Sequence, residues 1–158
     1  MYLVGDKIVH PMHGAGVIDG IVEQRVNGVT RQYYQLKMPY GSILVLIPTV
    51  SSSDIGVRPV IDSMEADKLL EHMPELETEE TLNWNRRYRE NMLRIKSGDI
   101  TEVARVIKCL CLRDRIKGLS TGERKMLNTA KQILISELVL AKSISYEQAE
   151  QQLLASFA

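Results

Sequence analysis

The spacing of apolar residues changes once along this chain, near residue 61, and the change separates two parts of different fold class. Up to that point the apolar residues form short β-branched or aromatic runs between turn residues, a pattern typical of strands. From Asp62 onward they recur every three or four residues, a pattern typical of amphipathic helices. With 158 residues the chain has room for two small domains, so the pattern predicts an α+β protein whose strands come first.

The N-terminal part, residues 1–61, is predicted to be a small β-barrel or bent sheet. Strands are expected at residues 8–10, 16–24, 31–37, 42–47 and 56–60. Asn27-Gly28 favours the positive φ angles of a tight hairpin between the second and third strands. Short strands at this spacing are typical of small barrels, and a barrel of this size is more often a binding module than an enzyme.

Residues 62–80 are predicted to form an acidic helix and a linker, and residues 81–158 a compact all-α domain. The acidic helix should end before Pro74, and residues 74–80 have the composition of a linker. Capping boxes at Asp99 and Ser120, with a weaker one at Ser145, mark helix starts. Further helices are expected near residues 79–97, 100–116, 121–142 and 146–157. Facing apolar stripes are Val103, Val106, Ile107 and Leu110 on one helix, and Leu127, Ala130, Ile133, Leu134 and Leu138 on the next.

The net charge of zero conceals an uneven distribution of charge. Residues 1–61 carry five Lys/Arg and four Asp/Glu, residues 62–80 carry one and eight, and residues 81–158 carry fourteen and eight. A basic C-terminal half indicates an anionic partner, although a solvated helical surface would give the same counts.

The only tryptophan, Trp84, lies among three arginines in residues 83–89. Arginines attract phosphate regardless of sequence, and a large flat ring can stack on a base or enter an opened base step, so this segment suits nucleic acid. The same ring also begins an apolar stripe with Tyr88, Met92 and Ile95, which is typical of a buried helix face. The residue pattern leaves both interpretations open.

A second basic pair, Arg124 and Lys125, follows the cap at Ser120 and therefore lies near the positive end of a helix dipole. Cations gain nothing at that position. A phosphate docked at the helix start would remove the conflict, whereas the alternative is that both side chains are only exposed and solubilising.

Nothing in the sequence predicts catalysis, a metal site or a cofactor. His10, His13 and His72 are the only histidines, and the first two lie in a Pro/Gly turn without a neighbouring carboxylate triad or thiolate. Cys109 and Cys111 lie two apart in a helical pattern, so both are predicted to be reduced. Without an 18-residue apolar run or a charged-then-apolar leader, the protein is expected in the cytoplasm, away from the membrane.

Motifs spread over nearly the whole chain resemble the bacterial CarD/CdnL family and occur in that family's order. They are residues 4–14, residues 83–88, residues 97–99, and Arg113-Asp114 with the following residues 118–123. The resemblance implies an RNA polymerase-binding transcription regulator. It further implies a Tudor-like N-terminal domain, related to the polymerase-interacting domain of the transcription-repair coupling factor, and a helical DNA-binding C-terminal domain.

The resemblance also assigns residues to the DNA-binding side. The family's wedge tryptophan, which enters the minor groove at the upstream edge of the transcription bubble and hinders reclosure, falls on Trp84. The basic positions that would contact backbone phosphates fall on Arg86, Arg87, Arg89, Arg124 and Lys125. Such contacts need no base-specific readout.

The N-terminal domain is expected to bind the polymerase β subunit through an exposed strand edge and adjacent side chains. Arg25 matches a basic position of that contact, whereas Leu46 stands where some relatives have an arginine. The interface here would therefore depend more on apolar packing than on a charge pair. The protein is expected to be a monomer with no small-molecule substrate.

A rival hypothesis is a protein adaptor without DNA contact. In that case Tyr33, Tyr34 and Tyr40 would line a peptide-binding surface, and Trp84 would belong to the core. A metal-dependent nuclease finds little support, because clustered carboxylates are missing from the sequence pattern.

Overall fold

The computed structural model describes residues 1–78 and 83–157 and has the predicted α+β organisation. Antiparallel strands come first and helices follow. The elements are β1 (Lys7–His10), β2 (Gly14–Val26), β3 (Val29–Lys37), β4 (Leu44–Pro48), α1 (Ser52–Ile55), β5 (Arg58–Pro59), α2 (Ser63–His72), a 3-10 helix (Met73–Glu75), α3 (Trp84–Lys96), α4 (Ile100–Ile116), α5 (Thr121–Lys142) and α6 (Tyr146–Ala155). The short helix α1 was not predicted from the sequence.

The five strands form one antiparallel sheet in the order β4-β3-β2-β1-β5. Asn27 and Gly28 have φ angles of 51° and 78°, which confirms the tight hairpin between β2 and β3. The ladder shifts register between Ile18 and Gly20, which marks a bulge in β2. One face of the sheet holds a core of its own, formed by Ile8, Ile18, Tyr34, Leu36, Met38, Ile47 and Val57.

The helices form a second core, and α4 and α5 have the predicted bounds. All nine residues of the two predicted stripes are buried in this core. The acidic helix α2 also contributes to it through Ala66 and Leu69, because its apolar positions face α5. Lys108 of α4 donates to the backbone carbonyls of Pro74 and Leu76, at 2.7 and 2.9 Å, so part of the predicted linker packs on the bundle.

The helix starts differ from the predictions in two respects. The helix expected at residue 79 begins at Trp84, where the Asn83 side chain accepts from the Arg86 N–H at 3.1 Å; residues 79–82 lie outside the described part. The capping boxes predicted at Asp99 and Ser120 were wrong as reciprocal motifs. Each side chain accepts from a backbone N–H of its own helix, but in these described residues the cap's backbone N–H does not donate to the side chain of the third helical residue. The box at Ser145 is confirmed.

The sheet and the bundle pack against each other along α5. The Ser136 hydroxyl accepts from the Ala15 N–H at 2.8 Å. The Arg58 guanidinium donates to both carboxylate oxygens of Glu137, which also accepts from the Ile61 N–H at 3.0 Å. Two side chains in the C-terminal half of α5 therefore hold the backbone of the strand region at Ala15 and Ile61. Within the described residues, no helix is long and apolar enough to cross a membrane.

Candidate nucleic-acid interface

The start of α3 lies against the start of α5, and Trp84 is at the contact. The indole Nε1–H donates to the Ser120 hydroxyl at 3.0 Å. The ring stacks on Tyr88 with centroids 5.0 Å apart and planes 19° apart. Gly122 lies beside both rings: a Cβ at that position would be in ordinary van der Waals contact with them, 3.5 Å from Trp84 Cζ2 and 3.6 Å from Tyr88 Cε2.

The stripe that begins at Trp84 enters the core gradually. Ile95 is fully buried, Tyr88 and Met92 are half-buried, and Trp84 remains 41 % exposed. The buried-helix pattern therefore describes the C-terminal end of the stripe, and the ring at its N-terminal end keeps an open surface. An aromatic surface of this kind can bind a base or another flat apolar group.

Arg87 does not fit its predicted role as a phosphate contact. It is only 4 % exposed, and its guanidinium donates to Glu123 at 2.8 and 3.1 Å in a buried ion pair between α3 and α5. These hydrogen bonds lower the pKa of the Glu123 carboxyl from its usual range, against the opposing effect of burial. The sequence places Arg87 about 100° around the helix from Arg86, and this rotation turns it inward.

A shallow groove runs along the exposed face of α3. Its lining residues are Trp84, Asn85, Tyr88, Arg89, Met92, Leu93 and Lys96. Arg89 and Lys96 are both exposed, seven residues apart and thus on one side of the helix. Lys96 was not predicted as a site residue, although its spacing from Arg89 was a signal that could have found it. Arg86 is exposed beyond the groove and pairs with Glu90 at 2.9 Å.

Arg124 and Lys125 are exposed in the early turns of α5, the helix whose cap residue Ser120 contacts Trp84. The predicted conflict with the helix dipole is weaker than the sequence indicated, because buried Glu123 supplies a carboxylate in the same turn. Arg124 lies 3.5 Å from Asp114. The helices α3 and α5 that carry these exposed cations therefore meet at one half-exposed aromatic ring.

The two residues predicted to contact the polymerase lie on opposite faces of the sheet. Arg25 pairs with Thr30, which shares a face of β3 with Tyr34, on the core side. Leu46 pairs with Gln35, on the outer side. Residues directly opposite each other across an antiparallel ladder point to the same face, so one flat partner surface cannot cover both side chains.

The outer face of the sheet has an exposed apolar end at β4. Leu44 and Leu46 are 51 % and 38 % exposed, and half-buried Val22 and Tyr33 lie on the same face. At the other end of this face, Ala15 is buried against α5. In the described residues β4 pairs only with β3, so its second edge is open for another strand.

The tyrosines of the adaptor hypothesis do not form one surface. Tyr34 is 1 % exposed, and its hydroxyl accepts from the Tyr2 N–H at 3.0 Å. Tyr40 donates to the His13 carbonyl at 2.7 Å and packs edge-on against Tyr146 of α6. Only Tyr33 is on the outer face, so the predicted peptide-binding surface was wrong.

The histidine pair of the β1–β2 turn is structural in its contacts. The rings of His10 and His13 lie 4.5 Å apart, and His10 Nδ1 accepts from the Met12 N–H at 3.0 Å. Burial, followed by the nearby His13 charge, lowers the pKa of His10. Across residues 1–78 and 83–157, no group of three or more His, Cys, Asp or Glu side chains could hold a metal ion.

Two family models match successive parts of the chain. Residues 2–61 match the family model of the CarD-like/TRCF RID domain, and residues 68–154 match that of the CarD C-terminal domain. The chain is also 37 % identical over 148 residues to "Putative transcription factor YdeB" of Bacillus subtilis (strain 168), which covers 94 % of this chain and 97 % of that protein. The chain therefore belongs to the CarD family of transcription regulators.

Proposed function

We propose that the protein binds the β subunit of bacterial RNA polymerase through its sheet and stabilises the promoter open complex through Trp84 and the groove on α3. The family membership supports the transcriptional role. The protein would act as a monomer in the bacterial cytoplasm, where polymerase is found, and would need no small-molecule substrate.

The half-exposed ring of Trp84 is the observation that carries the proposal. A ring of this size can enter the minor groove at a base step that polymerase has already unstacked, so most of the unstacking cost has been met beforehand. Reannealing of the upstream bubble edge would then require the ring to leave. The open complex would persist for longer, and the effect would be largest at promoters whose open complexes are short-lived.

Exposed cations on α3 and α5 would contact phosphates on the DNA backbone. Arg89 and Lys96 lie along the groove on α3, Arg86 lies beside it, and Arg124 and Lys125 lie on α5. Phosphate contacts position a protein on DNA but carry little sequence information. The response of a promoter would therefore follow the stability of its open complex more than its base sequence.

On the polymerase side, we propose that the outer face at Leu44 and Leu46, with the open edge of β4, forms the main contact. An added strand would pair with the β4 backbone, while the two leucines pack against apolar side chains of the partner. Arg25 is exposed on the other face near the hairpin end, so it would contact polymerase from the rim of this interface.

The substitution Trp84→Ala tests the DNA-binding half of the proposal. The lifetime of open complexes formed with polymerase on an unstable promoter should fall by about tenfold or more, because the variant loses the free energy of one aromatic–base stacking contact. Binding to polymerase should be retained. Ile116→Ala is the matched control, because Ile116 is an exposed apolar residue at the end of α4. A folded Trp84→Ala protein that prolongs open complexes as well as wild type contradicts the proposal.

The substitution Leu46→Asp tests the polymerase half. It should weaken binding to immobilised polymerase core enzyme, because a charge would be placed in an apolar contact. Met64→Asp introduces the same charge at an exposed methionine on α2 and should bind normally. Equal binding by both variants would remove the outer face from the interface.

A further inference from the structure

We propose that Ser120 is the positioning residue that holds the Trp84 ring in its half-exposed orientation, an inference that rests on the proposed function of Trp84. Ser120 lies 36 positions along the chain from Trp84 and belongs to another helix. Its hydroxyl caps α5 and receives the indole N–H at the same time. One side chain therefore joins the start of α5 to the ring on α3.

The hydrogen-bonding capacity of this hydroxyl is fully used. It accepts from the Glu123 N–H at 3.2 Å and from Trp84 Nε1–H at 3.0 Å, and it donates to Glu123 Oε1 at 3.4 Å. A serine hydroxyl has one hydrogen and two acceptor lone pairs. Because Glu123 uses the hydrogen and one lone pair, the remaining lone pair is directed to the indole.

Glu123 can direct the hydroxyl because its own carboxylate is held in place. The carboxylate is buried and accepts two hydrogen bonds from Arg87, which is also buried. A continuous set of contacts thus leads from the core pair through Ser120 to the ring. Arg87 therefore supports the orientation of the Trp84 ring through Glu123 and Ser120, although it is buried and would not contact DNA itself.

Stacking and the hydrogen bond restrict the ring in complementary ways. Tyr88 covers one ring face, Gly122 lies beside the ring edge, and the hydrogen bond to Ser120 fixes the rotation of the ring about its attachment to the helix. A side chain held in its binding orientation loses less conformational entropy when it engages a partner. Loss of the hydroxyl should therefore shorten the open-complex lifetime while leaving the ring present.

The test compares Ser120→Gly, Ser120→Thr and Ser145→Gly in the full-length protein. Glycine is tolerated at a helix cap with little loss of stability, so Ser120→Gly removes the indole contact more selectively than alanine would. Threonine keeps a hydroxyl. Ser145 has the same capping role on α6, in a capping box with Gln148, and is the matched control for capping alone.

Two measurements are made on each variant. The single indole N–H resonance in a 15N-labelled sample reports the hydrogen bond of Trp84 in the free protein, because the chain has one tryptophan. The lifetime of open complexes with polymerase reports function. For Ser120→Gly we expect a shifted indole resonance and a lifetime reduced about three- to tenfold, the value of one neutral hydrogen bond. Ser120→Thr should restore both.

The outcomes separate this inference from the proposed function. If Trp84→Ala leaves the lifetime unchanged, the proposed function fails, and the inferred role of Ser120 fails with it. If Trp84→Ala shortens the lifetime but folded Ser120→Gly leaves either the indole resonance or the lifetime at the wild-type value, only the role of Ser120 is overturned. An equal reduction by Ser145→Gly also overturns it, since capping alone would then explain the effect.

Discussion

Arg58 on β5 forms a bidentate ion pair with Glu137 in the C-terminal half of α5, with N–O distances of 2.7 and 2.8 Å, and the Glu137 side chain is completely buried. The two residues belong to the separate family-model regions that match the chain. The pair therefore connects the strand domain to the helical domain. A buried carboxylate depends on such a partner, since an unpaired charge in the interior is costly.

Replacing Arg58 by alanine should lower the free energy of unfolding by about 3–5 kcal/mol, because the Glu137 carboxylate would stay buried without its cation. Urea unfolding followed by circular dichroism gives the value. The exposed pair of Arg86 and Glu90 provides the comparison, and Arg86→Ala should cost only about 0.5 kcal/mol. Similar losses for the two variants would show that the Arg58 pair does not stabilise the domain contact.

Gly14 should tolerate no side chain, because its φ of 97° is unfavourable for other residues and a Cβ would lie 2.5 Å from the Ser136 hydroxyl. Gly28→Ala is a matched control, since Gly28 also has a positive φ but no neighbouring atom within 4 Å. We expect Gly28→Ala to cost about 1–2 kcal/mol in unfolding free energy and Gly14→Ala clearly more. If Gly14→Ala and Gly28→Ala were equally stable to heat and to urea, the close contact of β2 with α5 would be contradicted.

The Arg87–Glu123 pair should make the free energy of unfolding depend on pH in the acidic range. Because hydrogen bonds from Arg87 lower the pKa of Glu123 in the folded state, its contribution is complete above the ordinary glutamate pKa of about 4.3 and is lost as the pH falls through the lower folded value. Glu123→Gln should therefore be much less stable than wild type at pH 7, and the difference should shrink below about pH 4. Urea unfolding at several pH values measures this.

Glu90→Gln is the control for the acid effect, because Glu90 pairs with an exposed arginine and should make little difference at any pH. A stability difference between Glu123→Gln and wild type that stays constant from pH 7 to pH 3 would exclude the proposed linkage.

Lys96→Ala should weaken salt-sensitive binding to a polymerase-bound forked promoter. Each lost phosphate contact should reduce the slope of log affinity against log salt concentration by roughly 0.7–0.9. Lys68→Ala removes an exposed lysine from the acidic helix α2 and should leave the slope unchanged. If both variants retain the wild-type slope, Lys96 makes no phosphate contact and the DNA contact along the groove stops before the end of α3.

Local features of the fold could be predicted because their causes are local. The Asn27-Gly28 hairpin follows from two residues that accept positive φ, and the starts of α4, α5 and α6 follow from side chains that cap their own helices. These determinants lie within about four residues of their effect, so they are visible in the sequence. The starts of α4 and α5 were predicted correctly for this reason.

Features that depend on distant partners could not be predicted. Arg86 and Arg87 are identical neighbours in the sequence. The helix rotation between them turns Arg87 inward, but its buried partner Glu123 lies 36 residues further along the chain and could not be identified from the sequence. The same applies to Trp84 and Ser120. The strand register determines which face of the sheet each side chain occupies, and it places Arg25 and Leu46 on opposite faces.

Helix α5 carries the Ser120 contact at its start and the Glu137 contact about 25 Å further along its axis, at 1.5 Å per residue. This helix therefore fixes the distance between Trp84 and the strand domain. The number of residues between Ser120 and Glu137 sets the distance between the two contacts. It also sets their relative orientation about the helix axis, since each added residue would rotate one end by about 100° relative to the other. An insertion or deletion in α5 between Ser120 and Glu137 would therefore change the distance and the angle between Trp84 and the strand domain, without altering a residue of either binding surface.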